Sequence, residues 1–194
     1  MKRYMKKAAA AVCAAALILN IAACGGAESP AEGSQPGTVQ EETKKEKPAL
    51  EAVYQAVKDA YGDDYLPSMA IDGDMLESMY GISSDLYDEF IGEVPMISAQ
   101  ADAFIAVRGK EGKGDEIRGI LEDYKENLIT GAMMYPMNLP LAQSAQVVQE
   151  GDDVFLIMTG TNEAYGQAET EDEMLQIAED QIAIGVKAVE DCYE

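Results

Sequence analysis

The chain has 194 residues, with 36 Asp and Glu against 14 Lys and Arg, 47% hydrophobic residues, and neither His nor Trp. A formal net charge of -22 argues against nucleic-acid binding, which needs Lys and Arg to displace counterions from phosphate. The lack of histidine excludes Ser-His-Asp and Cys-His catalysis and imidazole metal sites, and the length suits one folded domain with appendages.

The N-terminus reads as an address. Lys2, Arg3, Lys6 and Lys7 supply all the positive charge before Lys44, and an uncharged Ala-rich run follows from Ala8 to Ile21. At about 14 residues the run is shorter than the ~20 needed to span a bilayer as a helix, and it matches the apolar region of a secretory signal peptide. It ends in Ile21-Ala22-Ala23-Cys24-Gly25, which resembles the lipobox of bacterial lipoproteins. That resemblance implies cleavage between Ala23 and Cys24 and a diacylglyceryl group on the Cys24 thiol. Residues 1–23 are then a removed signal peptide, and the mature protein sits on the extracytoplasmic face of a cell membrane. Two or more acyl chains make such an anchor stable.

Residues 25–48 hold only Ala and one Val as apolar residues among Gly, Ser, Pro, Glu and Lys. Such a segment cannot bury enough surface to offset the entropy of ordering, so residues 24–48 are expected to be a lipidated cysteine and disordered linker. As a flexible coil it spans roughly 25–30 Å. After processing, Cys192 is the one remaining thiol; its neighbours Glu190, Asp191 and Glu194 raise its pKa and argue against a nucleophilic role.

A single domain is expected over 49–194. Leu50, Val53, Tyr54, Val57 and Tyr61 fall on one helical face, with Pro48 suited to its first turn and Gly62 to its end. Two short helices are expected at Met75–Tyr80, closed by Gly81, and at Ser84–Phe90. Val94–Ser98, interrupted by Pro95, reads as an edge strand and Ala103–Val107 as a central one. From Asp115 a second long helix presents Ile117, Ile120, Leu121, Tyr124 and Leu128. Residues 131–143, with two prolines, read as an apolar loop. A hairpin follows, Gln146–Gln149 and Val154–Met158 about the Glu150–Asp153 turn. The last helix opens with Thr170 and Glu173 as a capping-box pair and carries Leu175, Ala178, Ile182, Val186, Val189 and Tyr193 on one face. The expected fold is α+β: an antiparallel sheet of about four strands with amphipathic helices packed on one face.

Met79-Tyr80-Gly81-Ile82, Leu86-Tyr87-Asp88-Glu89-Phe90 and Ala101-Asp102-Ala103-Phe104-Ile105-Ala106-Val107 before an acidic helix resemble the bacterial lipoproteins of the domain of unknown function 4358 family over roughly residues 70–160. The resemblance implies a small lipid-anchored envelope domain and transfers no catalytic residue.

Three groups of residues bear on chemistry. Asp63-Asp64 and Asp72-Gly73-Asp74 read either as oxygen ligands for Ca2+, though the EF-hand spacing is absent, or as solvated turns, the preferred reading, and Asp152-Asp153 as a hairpin tip. Arg108, Lys110, Lys113 and Arg118 are four of the seven cations beyond residue 48 and lie among Gly109, Gly112 and Gly114. They read either as a solvated loop or as a contact for an anion or acidic partner. Met133, Met134, Tyr135 and Met137 concentrate flexible apolar side chains that suit a lid over the core or a partner-binding loop.

No catalytic, cofactor or metal site emerges. The reading is a lipid-anchored envelope protein acting as a non-enzymatic binding or interaction module for an envelope protein or small ligand. The alternative is an envelope hydrolase using paired carboxylates. A two-lobed solute receptor needs a larger domain.

Overall fold

The computed structural model describes residues 47–97, 99–131 and 134–194. The residues read as a signal peptide and lipidation site, Ala23 and Cys24 among them, lie outside this range, as do Ser98, Ala132 and Met133.

Helix α1 (Leu50–Tyr61) buries Leu50, Val53, Val57 and Tyr61, the face its periodicity predicts. Strand β1 (Met69–Ala70) leads to helix α2 (Gly73–Tyr80). The Asp72 side chain accepts from the Met75 N–H and so caps α2, and Gly81 closes it at φ 79°, a left-handed conformation that glycine adopts without steric cost. Strand β2 (Tyr87–Val94) pairs with β3 (Ala103–Gly109), and helix α3 (Gly114–Thr130) follows. After the short helix α4 (Leu139–Ser144), β4 (Gln146–Glu150) and β5 (Asp153–Met158) form the expected hairpin. Helices α5 (Glu163–Gln167) and α6 (Glu171–Tyr193) complete the chain. The Thr170–Glu173 capping box at the start of α6 has both of its hydrogen bonds.

The five strands form one antiparallel sheet in the order β1-β2-β3-β5-β4. The α+β class is as expected, with β1 as a fifth strand, but the helices cover both faces rather than one. Successive residues of a strand point to opposite sides, and Phe104 and Ile105 both have no exposed surface. On the Phe104 side, Tyr54 of α1 lies 6.0 Å from Phe104 and Tyr193 of α6 lies 6.0 Å from Phe155, ring centre to ring centre. On the Ile105 side, Ile117 of α3 packs so closely over Gly109 that a Cβ there would lie 2.9 Å from its Cδ1. β5 is buried at every position, so the sheet centre has no polar face to turn to water.

Two further expectations are corrected. Ser84–Phe90 is not a helix, and the strand is Tyr87–Val94 rather than Val94–Ser98. Leu86 and Phe90 mimic a helical spacing, but β3 supplies partners from Tyr87 to Glu93, and Pro95 ends the strand. The 131–143 segment is not all loop: Pro140 stands in the first turn of α4, where its missing N–H costs nothing, and Leu141 and Ala142 are buried. Among the described residues no helix is long and apolar enough to cross a membrane.

Candidate functional site

At the end of the sheet where β3 begins and β5 ends, the surface opens into a cleft of about 320 Å³. Each wall comes from a different element. Met75 and Met79, one helical turn apart on α2, stand on one side, with Met69 from β1 beside them. Tyr124 and Leu128, also one turn apart, come from α3. Val94, Pro95 and Met96 form a lip after β2, and Met158, only 2% exposed, closes the floor. Tyr80 and Tyr124 pack with ring centres 4.6 Å apart. Burial pushes both phenols above their ordinary pKa, so they stay neutral.

Asp102, 2% exposed, is the one charged residue of the lining. Its carboxylate accepts from the Thr159 hydroxyl at 3.2 Å, the Gly160 and Thr161 N–H groups at 3.0 and 3.2 Å, and the Thr161 hydroxyl at 2.6 Å. These four bonds, three to Oδ1 and one to Oδ2, pin the chain after β5 to the start of β3, and Asp102 thereby shapes the cleft.

Two further depressions adjoin the cleft and share Gln100 with it. One, of about 220 Å³, is lined by Met134, Tyr135 and Asn138; the other, of about 360 Å³, by Met137, Asn162, Tyr165 and Met174. The Asn138 amide donates to the Ala99 carbonyl at 2.8 Å and the Tyr165 hydroxyl to the Met137 carbonyl at 2.6 Å, which fixes this loop beside the cleft. The loop read as a partner contact thus becomes one flank of a larger site. Met134 is half-buried, while Tyr135 and Met137 are 60% and 58% exposed.

From Met69 onward the chain has nine methionines. Eight of them line the cleft and its two flanks, and the ninth, Met133, lies outside the described residues. The large apolar side chains left exposed tell the same story: Met69, Met79, Met96, Tyr135 and Met137 all line these depressions, and Ile97 adjoins Met96. These exposed apolar side chains are thus gathered in one place rather than scattered over the surface.

Residues 60–159 match the family model described as Domain of unknown function (DUF4358). The chain belongs to the DUF4358 family. No curated protein and no solved structure matches it. The DUF4358 segment holds all five strands and every lining residue of the main cleft, whereas α6 lies beyond it.

The four cations singled out in the DUF4358 sequence sit elsewhere and do not converge on a pocket. Arg108 donates to the fully buried Asp153 from Nε at 3.1 Å and Nη2 at 3.0 Å, and lies 3.3 Å from Glu89. Lys110 donates to the Ser84 and Asp85 carbonyls, Lys113 pairs with Glu116 at 2.7 Å, and Arg118 lies 3.9 Å from Glu122. Asp153 also accepts from the Tyr193 hydroxyl at 2.8 Å. Among the described residues no group of three or more Cys, Asp or Glu is placed to hold a metal ion. Cys192 is half-buried, and burial, then Asp191, pushes its thiol pKa up.

Reading the sequence for clusters missed most of this site. Met69, Met75, Met79, Met96 and Met158 are spread over 90 positions, and each by itself resembles an ordinary core residue. The available signal was the methionine excess: eleven methionines against three phenylalanines.

Proposed function

We propose that this protein is a lipid-anchored cell-envelope binding module that takes its partner in the methionine-lined cleft and performs no chemistry on it. The observation that carries this reading is the gathering of eight methionines around three adjoining depressions. Unbranched, polarisable thioethers repack around a partner at little cost, and such surfaces suit recognition rather than the rigid positioning that catalysis needs. The alternative, hydrolysis by paired carboxylates, calls for two acids about 5–9.5 Å apart across a bound sugar. Asp102 is the one acid lining these depressions, and its oxygens are already committed to four donors.

The path of the chain supports a tethered role. The Lys47 ammonium lies 3.5 Å from Asp153, and the Pro48 carbonyl accepts from Arg108 Nη2 at 2.7 Å. The chain therefore enters the domain where β3 ends, about 17 Å along the strand from Ala103. An anchor on Cys24 would attach the domain at the end opposite the cleft, with the linker setting its reach from the membrane.

Two measurements test the reading. Metabolic acyl labelling should mark the wild-type protein and vanish in Cys24→Ala; label that persists in the variant removes the anchor. A photo-crosslinking residue in place of Met96 should give a discrete adduct in cells that the same residue in place of Lys187 does not. Identical adducts from both positions, or none from either, would remove the cleft as the recognition surface.

A further inference from the structure

The chemistry around the cleft narrows what can occupy it. Concentrated exposed apolar surface of this kind has three common occupants: lipid, a second copy of the same chain, or a segment of another polypeptide. Charge separates them. From Ala49 onward 31 Asp and Glu face 7 Lys and Arg, and the lining of the cleft and its flanks contains no cation. Arg108, Lys110 and Lys113 lie at or beyond the far end of β3, and Lys125, beside Tyr124, is the one cation next to a lining residue in sequence. Acids do adjoin the lining: Asp74 and Glu77 interleave with Met75 and Met79 on α2, and Glu171, Asp172 and Glu173 run directly into Met174 on α6. An anionic bilayer and a second copy are both repelled by such a field, whereas a cation is drawn to it.

Resting on the reading of the cleft as the recognition surface, we propose that its occupant is a cationic amphipathic segment of a partner polypeptide. Its apolar side chains enter the cleft and the flanking depressions, and its Lys and Arg residues face the acids of α2 and α6. A cleft of about 320 Å³ is the size of a small ligand site and holds an anchor side chain rather than a whole helix. The depressions of about 220 and 360 Å³ beside it give further anchors their places. Gln100, exposed and shared by all three, offers an amide to the partner's backbone. Apolar anchors along one face of a helix, set in a groove with a charged rim, are an established mode of peptide recognition.

The test uses the full chain in phosphatidylcholine nanodiscs, with methionine methyl groups labelled with carbon-13. The probes are an amphipathic helical peptide carrying Leu and Phe on one face and Lys on the other, its counterpart with Glu in place of every Lys, and the uncharged dye N-phenyl-1-naphthylamine. The Lys peptide should shift the methyl signals of Met69, Met75, Met79 and Met96. It should bind at least about tenfold more tightly than the Glu peptide at low salt, with the ratio shrinking as salt is raised. Met79→Gln with Met96→Gln should weaken the Lys peptide by about tenfold. Equal binding of the two peptides, or Lys-peptide binding that leaves these methyls unmoved, overturns the proposal. If the dye shifts the methyls and the Lys peptide does not, the occupant is wrong while the cleft stands. If no probe moves them, both readings fall.

Discussion

Asp153 has no exposed surface, yet two elements and the incoming chain converge on it: Arg108 of β3, Tyr193 of α6 and Lys47. A buried carboxylate is tolerated only with such partners, because desolvation costs several kcal/mol per ion. Asp153→Ala should cost about 3 kcal/mol, since it strips Arg108 of its bidentate partner while leaving it Glu89 and the Pro48 carbonyl. Arg108→Met combined with Asp153→Ala should cost less than the sum of the single changes by at least about 1 kcal/mol. Urea unfolding of the four variants measures this, and additive costs would mean the pair is not coupled. In the sequence Arg108 reads as part of a solvated loop or as a contact for an anion or acidic partner, and Asp153 as a turn residue; their pairing is not legible there, since only the β3–β5 register sets Arg108 opposite Asp153, 45 positions away.

Among elements, long helices and the β4–β5 hairpin follow from local pattern alone: α1 from its apolar period, α6 from its capping box. β2 and α4 do not, because pairing with β3 and burial of Leu141 outweigh their local signals. The start of α3 depends on its neighbour as well. Gly114 crowds the Gly151 carbonyl and lies where a Cβ would be 2.9 Å from Asp152 Cα, so any side chain there would push the β4–β5 turn away. Asp152 Oδ1 accepts from the Gly114 N–H at 3.1 Å. The backbone N–H groups of Gly114 and Gly112 hold the Asp152 carboxyl below the usual carboxylate range. A depressed carboxyl contributes stability that is fully present above the unfolded pKa, about 3.9, and is lost as pH falls through the folded value. Wild type should therefore be more stable than Asp152→Asn at pH 7, and the gap in melting temperature should close as pH falls below about 4. A gap that stays constant to pH 2.5 would show that the capping bond does not depend on the charge.

For the molecule as a whole, charge is the dominant fact. With 31 acids and 7 bases beyond residue 48, most carboxylates have no cationic partner, and self-repulsion works against the compact state. Raising the salt from 10 to 150 mM shortens the screening length from ~30 to ~8 Å. The folded state should gain on the order of 1 kcal/mol, about 3 °C in melting temperature. A flat or falling melting curve would indicate that the acids are spaced widely enough not to interact.

By itself, the sequence determined what depends on neighbours along the chain: helix periods, caps, turns, the acidic balance, and the signal-like start ending at Cys24. It carried the α+β class for the same reason, since two hairpin-like strand pairs between amphipathic helices have few ways to bury their apolar faces. Only the tertiary structure decided that helices cover both faces of the sheet, that Arg108 is paired with a buried acid, and that methionines from six separate stretches of chain meet at one end of the sheet. Those outcomes are set by strand register and by packing between residues far apart in sequence, and no local pattern encodes them.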